Sequence, residues 1–200
     1  SGGRLELPKC SYHVIYYDFD MSGIPTMRHK HTFSLDLKDK HNQSIPIKQH
    51  NIYQPHKTLG HWKAPAGENK TQFDKLLTKA REISKRIVQT NVSRRESRML
   101  FESIMRASIE YPLGQSLLKP SQLQTIERKS YPDIYSKCGY NRCTSRKALQ
   151  GPKALGGAGF IPLEAVAGSS QTIHFLKHWR TPHQQAGKLL RIILAPVSYT

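Results

Sequence analysis

Two acidic residues near the start of the chain have a spacing that could hold a divalent metal ion. Asp18 and Asp20 are separated by one residue, so both carboxylates would face the same side of a β-strand. That arrangement would suit a metal-dependent transferase, which is one alternative function. No glycine-rich nucleotide loop surrounds the pair, and Gly23 and Pro25 follow closely. We therefore interpret both aspartates as exposed residues that enter a turn.

Cysteine and histidine pairs further along the chain have the residue types of a zinc site. Cys138 and Cys143 could combine with His174 and His178, but the interval between the pairs is roughly twice that of common zinc fingers. We favour buried or surface thiols and predict no metal site. The sequence also lacks a Gly-x-Ser-x-Gly nucleophile motif, a Walker loop and a dinucleotide-binding glycine fingerprint.

Basic residues dominate the charge of the chain. Lys and Arg number 31 against 14 Asp and Glu, and the formal net charge is +17 at pH 7. This balance favours an anionic partner, with nucleic acid as the first expectation. Acidic residues are too few to interleave with the basic ones in two successive predicted helices, so we predict a phosphate-binding surface there rather than an ordinary solvated face. Its members are Lys75, Lys79, Arg86, Arg94, Arg95 and Arg98.

The size and composition of the chain limit its class. Two hundred residues suffice for one ordinary domain or two small ones. A mean hydropathy of -0.58 and 22% charged residues argue against a membrane protein, and we expect no membrane partner. The three cysteines make no disulfide framework and no leader pattern follows Ser1, so we expect an intracellular protein without a signal peptide. The absence of Met at position 1 suggests a piece of a longer reading frame.

The first seventy residues have mostly β-strand patterns. Residues 11–17 are rich in β-formers and precede a turn at 20–25, which predicts a hairpin. Alternating apolar residues at 33–37 and 45–47 predict a second hairpin. A further short strand is predicted over His56–Trp62, with Gly60 at its tip.

After Thr71 the apolar period changes to that of a helix. Apolar residues between Phe73 and Val88 fall on one stripe, which predicts a helix with a core side and a basic flank. Ser93 and Glu96 have the spacing of a capping box. The helix that they open is predicted to bury a set of apolar residues opposite its arginines, namely Leu100, Ile104 and Ala107.

The remainder of the chain is predicted to be helical with one long loop. Ser121 with Gln124 is predicted to cap a third helix, which Pro132 interrupts or restarts. The glycine-rich stretch 140–159 is predicted to be loop. Helical patterning returns at 162–179 and at 184–195.

Three short sequence motifs occur along the chain in the same order as in one protein family. The first is 1–10, a small-residue turn and an extended stretch that ends in Lys9 and Cys10; the second is Lys57-Thr58-Leu59-Gly60; the third is 155–163, Leu-Gly-Gly-Ala-Gly-Phe-Ile-Pro-Leu. Together they resemble the end of the palm and the thumb of reverse transcriptases from LINE-like retroelements, or retrotransposons. The resemblance extends over nearly the whole chain.

The resemblance implies roles for particular residues. Lys9 matches a lysine near the phosphates of the incoming nucleotide, where it could donate a proton to the leaving pyrophosphate, so it is the one candidate catalytic residue. Lys57, Thr58, Leu59 and Gly60 match a hairpin that presses the primer strand toward the active site. Glycine suits that position because the backbone approaches a sugar-phosphate chain closely only where no Cβ intrudes. The helical region would then bind the RNA/DNA primer-template as a thumb.

The chain departs from this family in one important respect. It contains no adjacent pair of aspartates, and the fingers are missing as well. Two-metal phosphoryl transfer needs carboxylates that bridge the ions. The resemblance thus implies a fragment of an RNA-directed DNA polymerase that is inactive alone and holds no cofactor, with Mg²⁺ expected in the full-length enzyme and with its fingers and palm expected upstream.

These observations predict an α+β fold, with small antiparallel β-hairpins followed by a helical thumb and connection region. The predicted domains are 1–70, the β-rich end of a polymerase palm, and 71–200, the helical region. An alternative from another functional class is a basic nucleic-acid-binding module that stands alone, without any enzymatic parent.

Overall fold

A computed structural model describes residues 10–29, 34–38, 42–58 and 60–194. Small strand pairs come first in the chain and helices follow, which confirms the predicted α+β fold class. The chain divides after Thr71 into two compact units, and each is described here by itself.

The first unit contains seven strands among its described residues. β2 pairs with β3 and β4 pairs with β5, both antiparallel, which confirms the two predicted hairpins. The stretch 11–17, however, is not one strand: β1 leaves the first hairpin and pairs with β5 in parallel, giving a sheet of order β1-β5-β4. The strands are β1 Ser11–Tyr12, β2 Ile15–Phe19, β3 Pro25–His29, β4 Leu35–Lys38, β5 Ser44–Gln49, β6 His56–Thr58 and β7 His61–Lys63.

The predicted turn at Asp20 is confirmed. The Oδ1 atom of Asp20 accepts hydrogen bonds from the backbone N–H groups of Ser22 and Ile24, at 2.9 and 2.8 Å. Asp18 instead forms an exposed ion pair with Arg28, at 2.7 Å. The two carboxylates thus have separate local partners, and Asp20 acts as a turn residue.

The second unit is helical. Its helices are α1 Lys70–Gln89, α2 Arg94–Leu100, α3 Ala107–Leu113, α4 Pro120–Lys137, α5 Arg146–Gln150, α6 Leu163–Arg180 and α7 Gln185–Leu194. A π-helical segment, Phe101–Arg106, joins α2 to α3, and a 3-10 turn, Lys153–Leu155, follows α5. None of the described helices has both the length and the apolar composition that a membrane crossing requires.

Helix α1 buries the predicted stripe. Leu76, Ala80 and Ile87 are buried in the core of the unit. Ser84 lies on the same side, and its hydroxyl donates a hydrogen bond to the carbonyl of Ser130 in α4, at 2.6 Å. This face therefore joins α1 to α4 through apolar packing and one buried polar bond.

The start of α2 is confirmed, but its predicted buried face is wrong at Ile104 and Ala107, while Leu100 is partly buried against the core. Ser93 and Glu96 form the expected capping box. Ile104, however, is 46% exposed. The buried residues recur at every fourth position because the π-helical segment has more residues per turn than an α-helix, which shifts the face away from a 3.6-residue period. They are Ser97, Phe101, Met105, Ile109 and Leu113.

Helix α4 begins and continues differently from the prediction. Lys119 precedes the helix, Pro120 occupies its first position, and the Gln122 side chain accepts a hydrogen bond from the Lys119 N–H at 2.9 Å, so Ser121 is not the cap. Proline is tolerated at a first helical position because that N–H has no intrahelical partner. Pro132 lies inside α4 and does not end it.

The stretch predicted as loop, 140–159, contains α5 and the 3-10 turn. It leads to Phe160, which is fully buried. The ring of Phe160 meets those of Phe101, Tyr135 and Tyr140 edge to face, with centroids 5.1, 4.6 and 5.7 Å apart. This aromatic cluster attaches the glycine-rich segment, residues 155–163, to the π-helical segment and α4. The two helices predicted after it are confirmed as α6 and α7.

Candidate nucleic-acid interface

The hairpin of β6 and β7 carries the predicted primer-contacting residues. Lys57, Thr58 and Gly60 are exposed, and Gly60 has a φ of +82°, which glycine adopts without strain. The segment predicted as one strand is thus two strands around a tight turn. Leu59 and the candidate catalytic Lys9 lie outside the described residues.

The basic flank of α1 consists of Lys75, Lys79 and Arg86, all exposed. Lys79 also has an internal role, because its ammonium donates a hydrogen bond to the carbonyl of Ser108 in α3, at 3.0 Å. An ammonium has three donors, so this contact leaves donors that can face an anion.

Three of the predicted arginines meet in one pocket of about 220 Å³, which we call the basic pocket. Its cationic residues are Arg94, Arg95 and Arg98 from α2 and Lys153 from the 3-10 turn. No carboxylate is among the described residues that line it, and the remaining lining residues are Cys138, Tyr140 and Ala158.

Arg98 has internal partners that the sequence did not indicate. Its two terminal nitrogens donate hydrogen bonds to the carbonyls of Ala158 and Gly159, at 3.1 and 2.7 Å, and its Nε pairs with Glu102 at 2.6 Å. The guanidinium carbon also lies 3.7 Å from the ring centroid of Phe160. Arg98 therefore holds the glycine-rich segment against α2, and its role as a phosphate ligand stays a prediction.

In the glycine-rich segment, backbone atoms lie very close to the backbone that follows α5. A Cβ at Gly157 would lie 2.2 Å from the carbonyl oxygen of Gly151, so only glycine fits there. Backbone N–H groups of Ala158, Gly159 and Phe160 then donate to carbonyls of α5 and Gly151, each at 2.9 Å. The motif thus folds back on α5 and positions the two carbonyls that Arg98 binds.

The residues considered as possible zinc ligands, for which no metal site was predicted, include two described cysteines. Cys138 and Cys143 are free thiols, and Cys138 lines the basic pocket. Burial raises the pKa of the Cys138 thiol, although the nearby Arg98 opposes this effect, so the thiol is neutral near pH 7. Within the described ranges, no group of three His, Cys, Asp or Glu side chains could hold a metal ion.

Three histidines of the first unit form a cluster that sequence reasoning missed. The ring centroids of His13, His50 and His56 lie 4.1 to 6.0 Å apart. Burial, followed by the neighbouring positive charges, lowers the pKa values of His50 and His56. Their imidazoles are therefore neutral at physiological pH and add no charge to an anion-binding surface. The pairing of β1 with β5 brings His13 close to His50, and no local sequence signal indicates this proximity.

A larger groove of about 570 Å³ lies between α1 and α4, but its charges are mixed. Arg81, Lys85 and Lys129 line it together with Glu82 and Asp133. The acidic side chains offset part of the positive potential, so the basic pocket is the stronger candidate for an anion.

Comparisons with protein-family models, with curated proteins and with solved structures each found no match to this chain. The functional argument therefore depends on the residues themselves.

Proposed function

We propose that this chain binds the sugar-phosphate backbone of a primer-template duplex, as part of an RNA-directed DNA polymerase. The observation that carries the proposal is the basic pocket, where three arginines and a lysine converge without a carboxylate among the described lining residues. The exposed flank of α1 adds Lys75, Lys79 and Arg86 in the same unit.

Backbone phosphates are the ligand that best matches these groups. Arginine and lysine contact phosphate oxygens through charge-assisted hydrogen bonds, and such contacts carry no sequence information. The proposal assigns Lys57, Thr58 and Gly60 to the primer strand. It assigns no polymerisation to these residues alone, because the carboxylates that hold the two catalytic ions, Mg²⁺ in this class, must come from another part of the polymerase.

The test is to measure duplex affinity against salt concentration. A labelled RNA/DNA hybrid should lose affinity by on the order of several hundred-fold between roughly 50 and 200 mM salt, as expected for about five neutralised phosphates. Unlabelled hybrids of unrelated sequence should compete equally well, since backbone contacts are insensitive to sequence. A duplex affinity that does not change with salt concentration, or a strong preference for one sequence, would contradict the proposal.

The second candidate, a basic nucleic-acid-binding module that stands alone, is favoured by one observation. Gln72–Thr200 forms a compact unit that contains the basic pocket and the α1 flank. Such a module needs no contribution from the β6–β7 hairpin, whereas a polymerase fragment does. The hairpin substitution described in the Discussion therefore separates the two candidates.

A further inference from the structure

The basic pocket has features of a preformed binding site beyond a general positive charge. Its four cationic side chains come from two segments, α2 and the 3-10 turn, that are distant in sequence. Of the acidic side chains on α2 and its π-helical extension, Glu96 forms the capping box, and Glu102 pairs with Arg98 and so offsets the charge of that one cation. The lining still holds three further cations and no described carboxylate, so the pocket keeps a net positive field.

We propose that the basic pocket binds one phosphodiester group of a nucleic-acid backbone, with Arg94, Arg95 and Lys153 as direct ligands and Arg98 as a positioning residue. This inference rests on the proposed function and names a particular subsite for it. Lys153 was not among the predicted phosphate ligands, and the fold alone brings it to the arginines.

Arg98 forms the fixed wall of the site. Three of its five guanidinium N–H groups have protein acceptors, the carbonyls of Ala158 and Gly159 and the carboxylate of Glu102. These bonds hold the guanidinium in one orientation before any ligand arrives. A preorganised positive charge costs less conformational entropy on binding than a mobile surface side chain.

Two glycines make room for two of the direct ligands. Gly139, with φ +94°, lies against Arg94, and a Cβ there would sit 2.8 Å from the Arg94 Cδ. Gly159, with φ +68°, lies against Lys153, and a Cβ there would sit 2.9 Å from the Lys153 Cγ. Both basic side chains are thus packed along glycine backbone, which restricts their motion at the edge of the pocket.

The chemistry of the pocket selects an anion. The raised pKa of Cys138 leaves a neutral thiol, which does not compete with a phosphate for the cations. A metal cation would meet the charges of Arg94, Arg95 and Lys153 besides the Glu102-paired Arg98, and no described carboxylate in the lining. A phosphate matches the planar fork of arginine and the point charge of lysine.

The test compares two double variants that remove the same charge. Arg95→Gln/Lys153→Gln changes the pocket, whereas Arg128→Gln/Lys147→Gln removes one exposed arginine and one exposed lysine that do not line it. With the hybrid duplex, the pocket variant should lower the slope of log affinity against log salt by about 1, the share of one phosphate. The control variant should change the slope by less than about half of that amount.

A second measurement uses inorganic phosphate as the probe. Backbone amide NMR signals of Gly139 and Gly159 should shift during a millimolar phosphate titration of the wild-type chain and stay unchanged in the pocket variant. If duplex affinity depends steeply on salt but the slope falls equally in both double variants, the assignment of the pocket is wrong. The proposed function would still stand. If inorganic phosphate binds in the pocket but no duplex binds to the chain, the proposed function is wrong. The phosphate group that the pocket binds would then not come from a nucleic acid.

Discussion

Arg98 differs from its neighbours Arg94 and Arg95 although all three are arginines within one helical turn. The side chain of Arg98 is only 17% exposed and bonds two backbone carbonyls. We predict that Arg98→Ala lowers the free energy of unfolding by about 2 kcal/mol, because two partly buried carbonyls lose charged donors. Urea unfolding followed by circular dichroism measures this change.

The control for Arg98 is Arg95→Ala, which removes an exposed side chain of the same type. Its unfolding free energy should change by less than about 0.5 kcal/mol. Equal losses in the two variants would show that Arg98 does not hold the glycine-rich segment.

Glu127 is a buried carboxylate whose chemistry belongs to the fold. It accepts a hydrogen bond from the N–H of Leu163 at the start of α6 and another from the Gln150 side chain. Burial raises its pKa above the ordinary 4.5, although the Leu163 N–H opposes the shift. The folded state therefore binds the proton more tightly than the unfolded state does.

This difference predicts a pH-dependent effect of Glu127→Gln. Since the folded-state pKa exceeds the unfolded one, the contribution of Glu127 to stability is fully present below the ordinary carboxyl range and is lost as pH rises through the folded pKa. The difference in melting temperature, variant minus wild type, should therefore increase as the pH rises from about 4 to about 7. Glu82→Gln, an exposed substitution of the same type, is the matched control for the loss of one carboxylate. A pH-independent difference for Glu127→Gln would contradict the assignment.

At the scale of elements, the β6–β7 hairpin has two chemically distinct faces. Lys57 pairs across the strands with Trp62, whereas Lys63 pairs with His56, so the two lysines point to opposite faces. The polymerase proposal assigns Lys57 to the primer strand, whereas Thr58, which pairs with His61, lies on the face of Lys63. We predict that Lys57→Gln weakens binding of the hybrid duplex several-fold, because one phosphate contact is lost.

Lys63→Gln is the matched control, since it removes the same charge from the other face of the same hairpin. Its duplex affinity should be nearly that of wild type in fluorescence anisotropy. If both substitutions leave the affinity unchanged, the hairpin takes no part in binding and the module that stands alone becomes the better description.

At the scale of the whole molecule, net charge and phosphate contacts have separate consequences. The charge of +17 speeds the encounter with any polyanion, an effect that salt screens. The salt slope of the equilibrium affinity instead counts the phosphates that are neutralised. A slope near that of about five contacts would therefore match the three cations of the α1 flank, one phosphate in the basic pocket and Lys57, rather than all 31 basic residues.

Local sequence signals predicted many elements correctly because each depends on near neighbours. The capping box of Ser93 and Glu96, the turn at Asp20 and the stripe of α1 all follow from contacts within a few residues. Prediction from local apolar patterns was wrong where the helix geometry changed. Residues 101–106 form a π-helical segment, and apolar periodicity assumes a constant number of residues per turn.

The sequence alone determined the excess of positive charge, the order of strands before helices and the basic residues of α1 and α2. Only the tertiary structure decided which arginine became a structural anchor and which lysine joined the pocket. Arg98 and Gly159 are far apart in sequence, as are Arg95 and Lys153, and the packing of Phe160 against Arg98, Phe101 and Tyr135 brings their segments together. Such long-range pairings arise from side-chain packing of the whole unit, which no local pattern of residue types encodes.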